Sequence, residues 1–286
     1  MLELLFLAIA PAAFLIWYIW KQDSYEPEPL HLVAWVFFLG ALAVIPAAVI
    51  ELLFPEGVVS SAFVAPVVEE AAKFLVVFLA IYRNPEFDEP MDGIVYAAAA
   101  GLGFATIENI LYVLEGGIAV GIIRAIASVP GHVIFSCIWG LALGRAKFRP
   151  ASGRTVIVIA GLFLAMLLHG IFNFSLSVFE ALGLLLIIVV IIPFSWWMTC
   201  RNIKSAHADP ASACSAINNL QSMPGIAKPG EPSPLPQAYP ASPAAPSPAG
   251  AASAKSGPDS TQHFCSQCGA PDTWGKRFCG NCGKEF

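Results

Sequence analysis

Between residues 2 and 200 the chain is almost continuously apolar. Short polar breaks divide it into runs near 2–20, 31–54, 59–82, 92–115, 118–145, 155–179 and 181–200. Each run approaches the ~20 residues that an α-helix needs to cross the hydrocarbon core of a bilayer. Lipid cannot solvate unpaired backbone amides, so such segments have to be helices packed on one another. The expected fold class is all-α, a polytopic membrane helix bundle of about seven transmembrane helices. The chain is 57% hydrophobic and 12% charged, whereas a soluble domain carries about 25% charged residues. The first run lacks a basic leader and is longer than a signal-peptide core, so it reads as a retained helix.

Lys and Arg give the expected orientation. Lys21, Arg83, the group Arg145, Lys147, Arg149 and Arg154, and the pair Arg201 and Lys204 follow the first, third, fifth and seventh runs. The breaks near Pro55–Gly57, Gly116–Gly117 and Glu180 carry no Lys or Arg. By the positive-inside rule this places the N-terminus outside and the C-terminal tail in the cytoplasm.

After residue 204 the composition changes. Residues 205–262 include a Pro/Ala/Ser-rich stretch (228–250) that cannot build a core and reads as an extended linker. Residues 263–286 contain two CxxC pairs, Cys265 with Cys268 and Cys279 with Cys282, followed directly by Gly269 and Gly283. Four thiolates in this spacing form a closed tetrahedral zinc site, structural because no ligand position is left for water. A cytoplasmic tail disfavours the alternative of two disulfides. The expected domains are thus a membrane region at 1–204, a disordered linker at 205–262 and a zinc ribbon at 263–286. The ribbon would serve contact with a cytosolic partner or regulation, and no nucleic-acid partner is expected.

The polar residues inside the apolar runs carry the functional signal. Glu69 and Glu70 are adjacent in the third run, with Lys73 three and four residues on. An acid at a helix centre costs roughly 2.5–3.5 kcal/mol on insertion scales. The fourth run carries Glu108 and Asn109, the fifth Arg124 and His132, and the sixth His169 and Asn173. Counted from the expected outer ends, the Glu and His residues lie about 7–14 positions in, a common layer about 10–20 Å deep at 1.5 Å per residue. Pro130 and Gly131 are expected to kink the helix just before His132. Each residue also has an ordinary reading: Glu70–Lys73 or Glu108–Arg124 as buried ion pairs, His132 or His169–Asn173 as interhelical hydrogen bonds. Taken together, three Glu and two His suit a divalent metal or general-base work on water. HExxH, GxSG and intramembrane Gly-Asp motifs are absent.

These segments resemble the PrsW family of intramembrane proteases, itself distantly similar to CAAX-type and bacteriocin-processing proteases. The motifs are Glu69-Glu70-Ala-Ala-Lys73 for EExxK, Phe104-Ala-Thr-Ile-Glu108-Asn109 for FxxxEN, His132 in the next helix, and His169-Gly-Ile-Phe-Asn173 for HxxxN. The match covers roughly residues 30–200. The CAAX-type relatives favour His where this chain has Glu108, and Arg where it has Lys73. The resemblance implies proteolysis of membrane-tethered proteins in a bacterial plasma membrane, with an anti-sigma factor as the best-known substrate. The family is labelled metalloprotease, while its CAAX-type relatives have been argued to use Glu and His on water without metal.

The reading is an intramembrane endopeptidase. Glu69 or Glu70 would activate water, Lys73 would tune the pair, and Asn173 would orient His169 or donate to the oxyanion. A catalytic zinc or other divalent metal would sit among Glu70, Glu108, His132 and His169. A membrane scaffold or receptor, or an ion or proton transporter built on the same buried layer, are the competing readings.

Overall fold

The computed structural model describes residues 2–212; the linker beyond residue 212 and the four-cysteine module lie outside the described residues. The described residues form helices α1 (Leu2–Gln22), α2 (Leu30–Leu42), α3 (Val44–Glu51), α4 (Ala65–Ala80), α5 (Pro90–Ile126), α6 (Ser128–Lys147), α7 (Ala151–Leu186) and α8 (Ile192–His207). Single π-helical turns, Ser60–Val64 and Ile187–Ile191, lead into α4 and α8. By length and composition, four helical stretches among the described residues can cross a membrane: Leu2–Gln22, Leu30–Glu51, Pro90–Lys147 and Ala151–His207.

Two of those stretches double back. Residues Asn109 and Arg124 of α5 would stand about 22 Å apart on a straight helix at 1.5 Å per residue, yet Arg124 Nε donates to Asn109 Oδ1 at 2.7 Å. The reversal falls at Gly117, whose φ of 73° is open to glycine. Glu180 (φ 43°) marks a second reversal, which brings Gly183 against the Ser175 carbonyl. At the opposite end Arg145 donates to Ser205 and pairs with Asp209 at 3.8 Å. The helical chain therefore continues past the expected boundary at residue 204, through His207.

Proline sets the other breaks. It lacks an N–H, and its ring clashes with the carbonyl four residues earlier. Pro46 accordingly separates α2 from α3 at Ala43, within the expected 31–54 run. Pro130 acts in the same way on Ile126. The break lies at Ala127 (φ −109°), one turn upstream of the position expected beside His132.

The first half of α5 is the central helix. Met91 to Ala105 are all buried, between α1, α2 and α6. Small residues permit this. A Cβ on Gly93 would strike the Gly140 carbonyl and come within 2.9 Å of the Gly144 nitrogen. One on Gly101 would strike Ser136 Oγ and lie 3.2 Å from the His132 carbonyl. On the other side of α5, Gly103 meets the Phe37 carbonyl, and Gly40 meets Ala100. Outside, large apolar side chains are bare, including Phe6 at 70%, Leu79 at 77% and Phe163 at 65% exposure. Glu70, Lys73, Asn109 and His132 are buried inside. Apolar outside and polar within is the distribution that lipid selects.

Gly93→Ala is expected to force α5 and α6 apart and to lower the thermal midpoint in detergent, an overpacking cost of about 1–3 kcal/mol. Leu79→Ala on the outer face serves as the control and is expected to move it little.

Candidate active site

Side chains of three helices, α4, α5 and α6, converge on one ammonium. Lys73 Nζ donates to Glu69 Oε2 at 3.0 Å, to Glu70 Oε1 at 2.9 Å and to His132 Nδ1 at 2.9 Å. The two carboxylates are i,i+4 and i,i+3 neighbours along α4, so helix geometry alone brings them to the lysine. The third contact ties α4 to α6. Phe104 of α5 closes the remaining side, its ring centroid 4.4 Å from Nζ. Lys73 is 0% exposed. Removing one partner from a buried ionic group of this kind costs far more than the group adds in stability.

Glu69 and Glu70 divide as their ~100° separation on the helix requires. Glu70 points into the protein and is fully buried, its Oε2 accepting the Trp139 indole N–H at 2.9 Å. Its Oε1 accepts from His169 Nδ1 at 3.1 Å, which leaves Nε2 of His169 as the lone-pair nitrogen. Phe135 stacks on that imidazole at 4.9 Å between centroids and 19° between planes. Glu69 instead lines a cleft of about 730 Å³, together with Glu51, Glu108, His132, His169 and Asn173.

Since the Lys73 ammonium can only donate, His132 accepts at Nδ1 and carries its proton on Nε2. That nitrogen lies 2.8 Å from Glu108 Oε2. Arg124, returning from the Gly117 reversal, pairs with Glu108 Oε1 at 3.0 Å and packs its guanidinium 4.1 Å from the Tyr112 ring. Asn109 does not reach the cleft: it accepts from Arg124 and donates to the Ala8 carbonyl at 3.3 Å.

Glu69, His132 and His169 each offer a ligand atom, all within 4.8 Å of one another. Two imidazoles and one carboxylate are the protein donors of a zinc site that keeps a position open. His169 offers Nε2 directly, and His132 offers Nδ1 by giving up its hydrogen bond from Lys73. The grouping differs from the sequence expectation in its acid: Glu69 stands with the two histidines, while Glu70 lies behind His169 and Glu108 beyond His132.

Asn173 has a partner that the sequence reading did not foresee. Its Nδ2 donates to the Ser61 carbonyl at 2.9 Å rather than reaching His169. In the π-helical turn, Ala65 N–H bonds to Ser60 O, five residues back. The next bond in that register would come from residue 66, which is proline. Asn173 supplies the donor that Pro66 lacks, and so fixes α7, with His169, against the start of α4. Trp139 was also missed, since an indole in an apolar run reads as ordinary core; only its single N–H hints at a partner. Arg124 stands as the ion-pair partner of Glu108 that the sequence suggests.

Asn173→Ala is expected to cost about 1–3 kcal/mol through the orphaned Ser61 carbonyl. Pro66→Ala in the same protein restores an N–H and should recover part of the loss, read by thermal unfolding in detergent. Equal stability of the single and double variants would show that the carbonyl needs neither donor.

The family model described as PrsW family intramembrane metalloprotease matches residues 28–198. Protease PrsW of Geobacillus kaustophilus is 39% identical over 212 residues, covering 72% of this chain and 93% of that protein. Protease PrsW of Oceanobacillus iheyensis is 37% identical over 213 residues (72% of this chain, 97% of that protein). The Bacillus subtilis Protease PrsW is 34% identical over 206 residues (70% and 94%). No solved structure matches the chain.

Proposed function

Because the chain belongs to the PrsW family and is an integral-membrane protease, we propose that Glu69, His132 and His169 are its reacting centre, cutting membrane-tethered proteins in the cleft they line. The observation that carries this is the set of three ligand atoms within 4.8 Å, facing a cleft of about 730 Å³. The donor set fits the metal that the family implies. When bound there, such an ion supplies a Lewis acid and acidifies a water.

The chain's own residues do the rest. Glu70 holds the His169 ring by Nδ1 and keeps Nε2 toward the cleft, a positioning role that Trp139 and Lys73 secure in turn. Arg124 holds Glu108 beside His132 Nε2. Water attacks the scissile carbonyl carbon, and its proton is taken up within the Glu69–His132–Glu108 group. The proton passes to the amine nitrogen as the C–N bond breaks. The apolar walls, including Phe104, Phe135 and Phe172, exclude bulk water and admit an unwound peptide segment.

The proposed topology has seven crossings, with the N-terminus outside and the tail in the cytoplasm of a bacterial plasma membrane. The reversals at Gly117 and Glu180 and the charge bias of the breaks support it. Cys265, Cys268, Cys279 and Cys282 are proposed to hold a structural zinc that serves a cytosolic contact. An anti-sigma factor is the substrate that the family resemblance favours.

The test is cleavage of a membrane-tethered peptide by the purified protein in vesicles. Glu69→Gln, whose amide oxygen can still accept from Lys73, should lose about 10²–10⁴-fold in turnover while still inserting. Glu70→Gln should lose activity and thermal stability together. Near-normal turnover of Glu69→Gln would sink the assignment. Deleting residues 213–286 should leave cleavage of the peptide intact; a well-folded but inert truncation would make the tail part of the catalytic machinery.

A further inference from the structure

Four carboxylates lie buried at the end of the bundle opposite the Gly117 and Glu180 reversals: Asp23 and Glu28 between α1 and α2, Glu89 before α5, and Asp92 in its first turn. Oxygens of Asp23, Glu89 and Asp92 lie within 4.8 Å of one another. The rest of the surroundings is satisfied. Asp92 Oδ2 accepts the Asp88 and Glu89 backbone N–H groups at 2.6 Å each, and Asp23 Oδ2 accepts from Glu28 N at 3.3 Å. Glu28 accepts the Tyr96 hydroxyl. Glu89 is 0% exposed; beyond its capping-box contact with the Asp92 backbone N–H and the facing Asp23 carboxyl, no donor reaches its carboxylate. Asp23 Oδ1, on a residue 2% exposed, has none either.

Counter-charge is also missing at contact distance. Among the described residues, no Lys or Arg forms an ion pair with any of the four. The nearest candidate, Lys147, spends its ammonium on the carbonyls of Tyr82, Asn84 and Phe87. Acids so arranged need protons or a cation. Three side chains whose oxygens converge in one space, with Asp23 Oδ1 left without a donor, suit the coordination shell of a hard cation.

We infer that Asp23, Glu89 and Asp92 bind one hard divalent cation, of the Mg²⁺, Mn²⁺ and Ca²⁺ class. The site is separate from the Glu69–His132–His169 group. The ligands come from the α1–α2 connection, the segment before α5 and the α5 first turn, so the ion staples two connections to the central helix. An all-oxygen donor set selects against zinc, which favours nitrogen and sulfur.

The experiment uses the full chain in detergent, loaded with zinc so that thiolate and imidazole sites are filled, and titrated with Mn²⁺ by electron paramagnetic resonance. The expected result is one Mn²⁺ per chain, displaced by Mg²⁺ or Ca²⁺. It should persist in His132→Ala/His169→Ala and disappear in Asp23→Asn/Glu89→Gln. The thermal midpoint should rise by roughly 5–10 °C at a hundredfold excess over Kd, and not in the Asp23→Asn/Glu89→Gln protein. If that double variant does not insert, Glu89→Gln alone carries the comparison. Absence of bound Mn²⁺ from the zinc-loaded wild type would overturn the inference in favour of a protonated acid cluster. Binding that survives removal of both side chains, or of Glu89 alone, would overturn it as well.

Discussion

An ammonium in the middle of an apolar bundle has to be neutralised where it stands, and the arrangement around Lys73 follows from that. Its three N–H donors are spent on Glu69, Glu70 and His132, and none is left for water. Two negative charges on one positive leave an excess that the rest of the site shares. Trp139 and His169 donate to Glu70, and Arg124 compensates Glu108. The bonds made by His132, Trp139 and His169 cross between helices, so the electrostatic requirement of one buried cation also fixes how α4, α6 and α7 stand around the cleft. The balance is local and saturated, which is why loss of a single partner is costly.

The second organising element is the backbone that proline leaves unpaired. In water a missing N–H is replaced by solvent at little cost; in lipid it has to be replaced by protein. At Pro66 the replacement is Asn173, and the resulting bond couples the helix carrying His169 to the one carrying the glutamates. At Pro130 the disruption falls one turn back, and α6 begins at Ser128, which places His132 within its first two turns beside α4. Two irregular backbone segments thus flank the cleft.

Much of this was legible in the sequence, and the gaps have physical causes. Apolar run length and proline position determine helices when the solvent is lipid, so the existence of the helical segments could be read directly. That Pro46 splits the 31–54 run could not be seen from hydropathy, because α2 and α3 are both strongly apolar. The polar residues of the candidate site were visible because charge in an apolar run is conspicuous. Which glutamate faces the cleft was not, since adjacent residues differ only in azimuth, and azimuth is set by tertiary packing. Trp139 and the Asp23–Glu89–Asp92 cluster escaped for opposite reasons: an indole looks apolar, and acids at helix ends look like ordinary solvated loops.

The glycine contacts between α5 and α6 work as a ruler. With backbone resting on backbone at Gly93–Gly140 and Pro90–Gly144, the two helices have one register. A slip of a single residue would carry Glu108 1.5 Å along the axis and ~100° around it, away from His132. Insertions and deletions are therefore barred from the interior of both helices over the span between glycine and ligand. Length can vary only where no ruler is read, such as the exposed turn at residues 52–59 between α3 and the π-helical turn before α4. Across a lineage, helix lengths here should be far more strictly kept than the identity of the lipid-facing side chains that the helices carry.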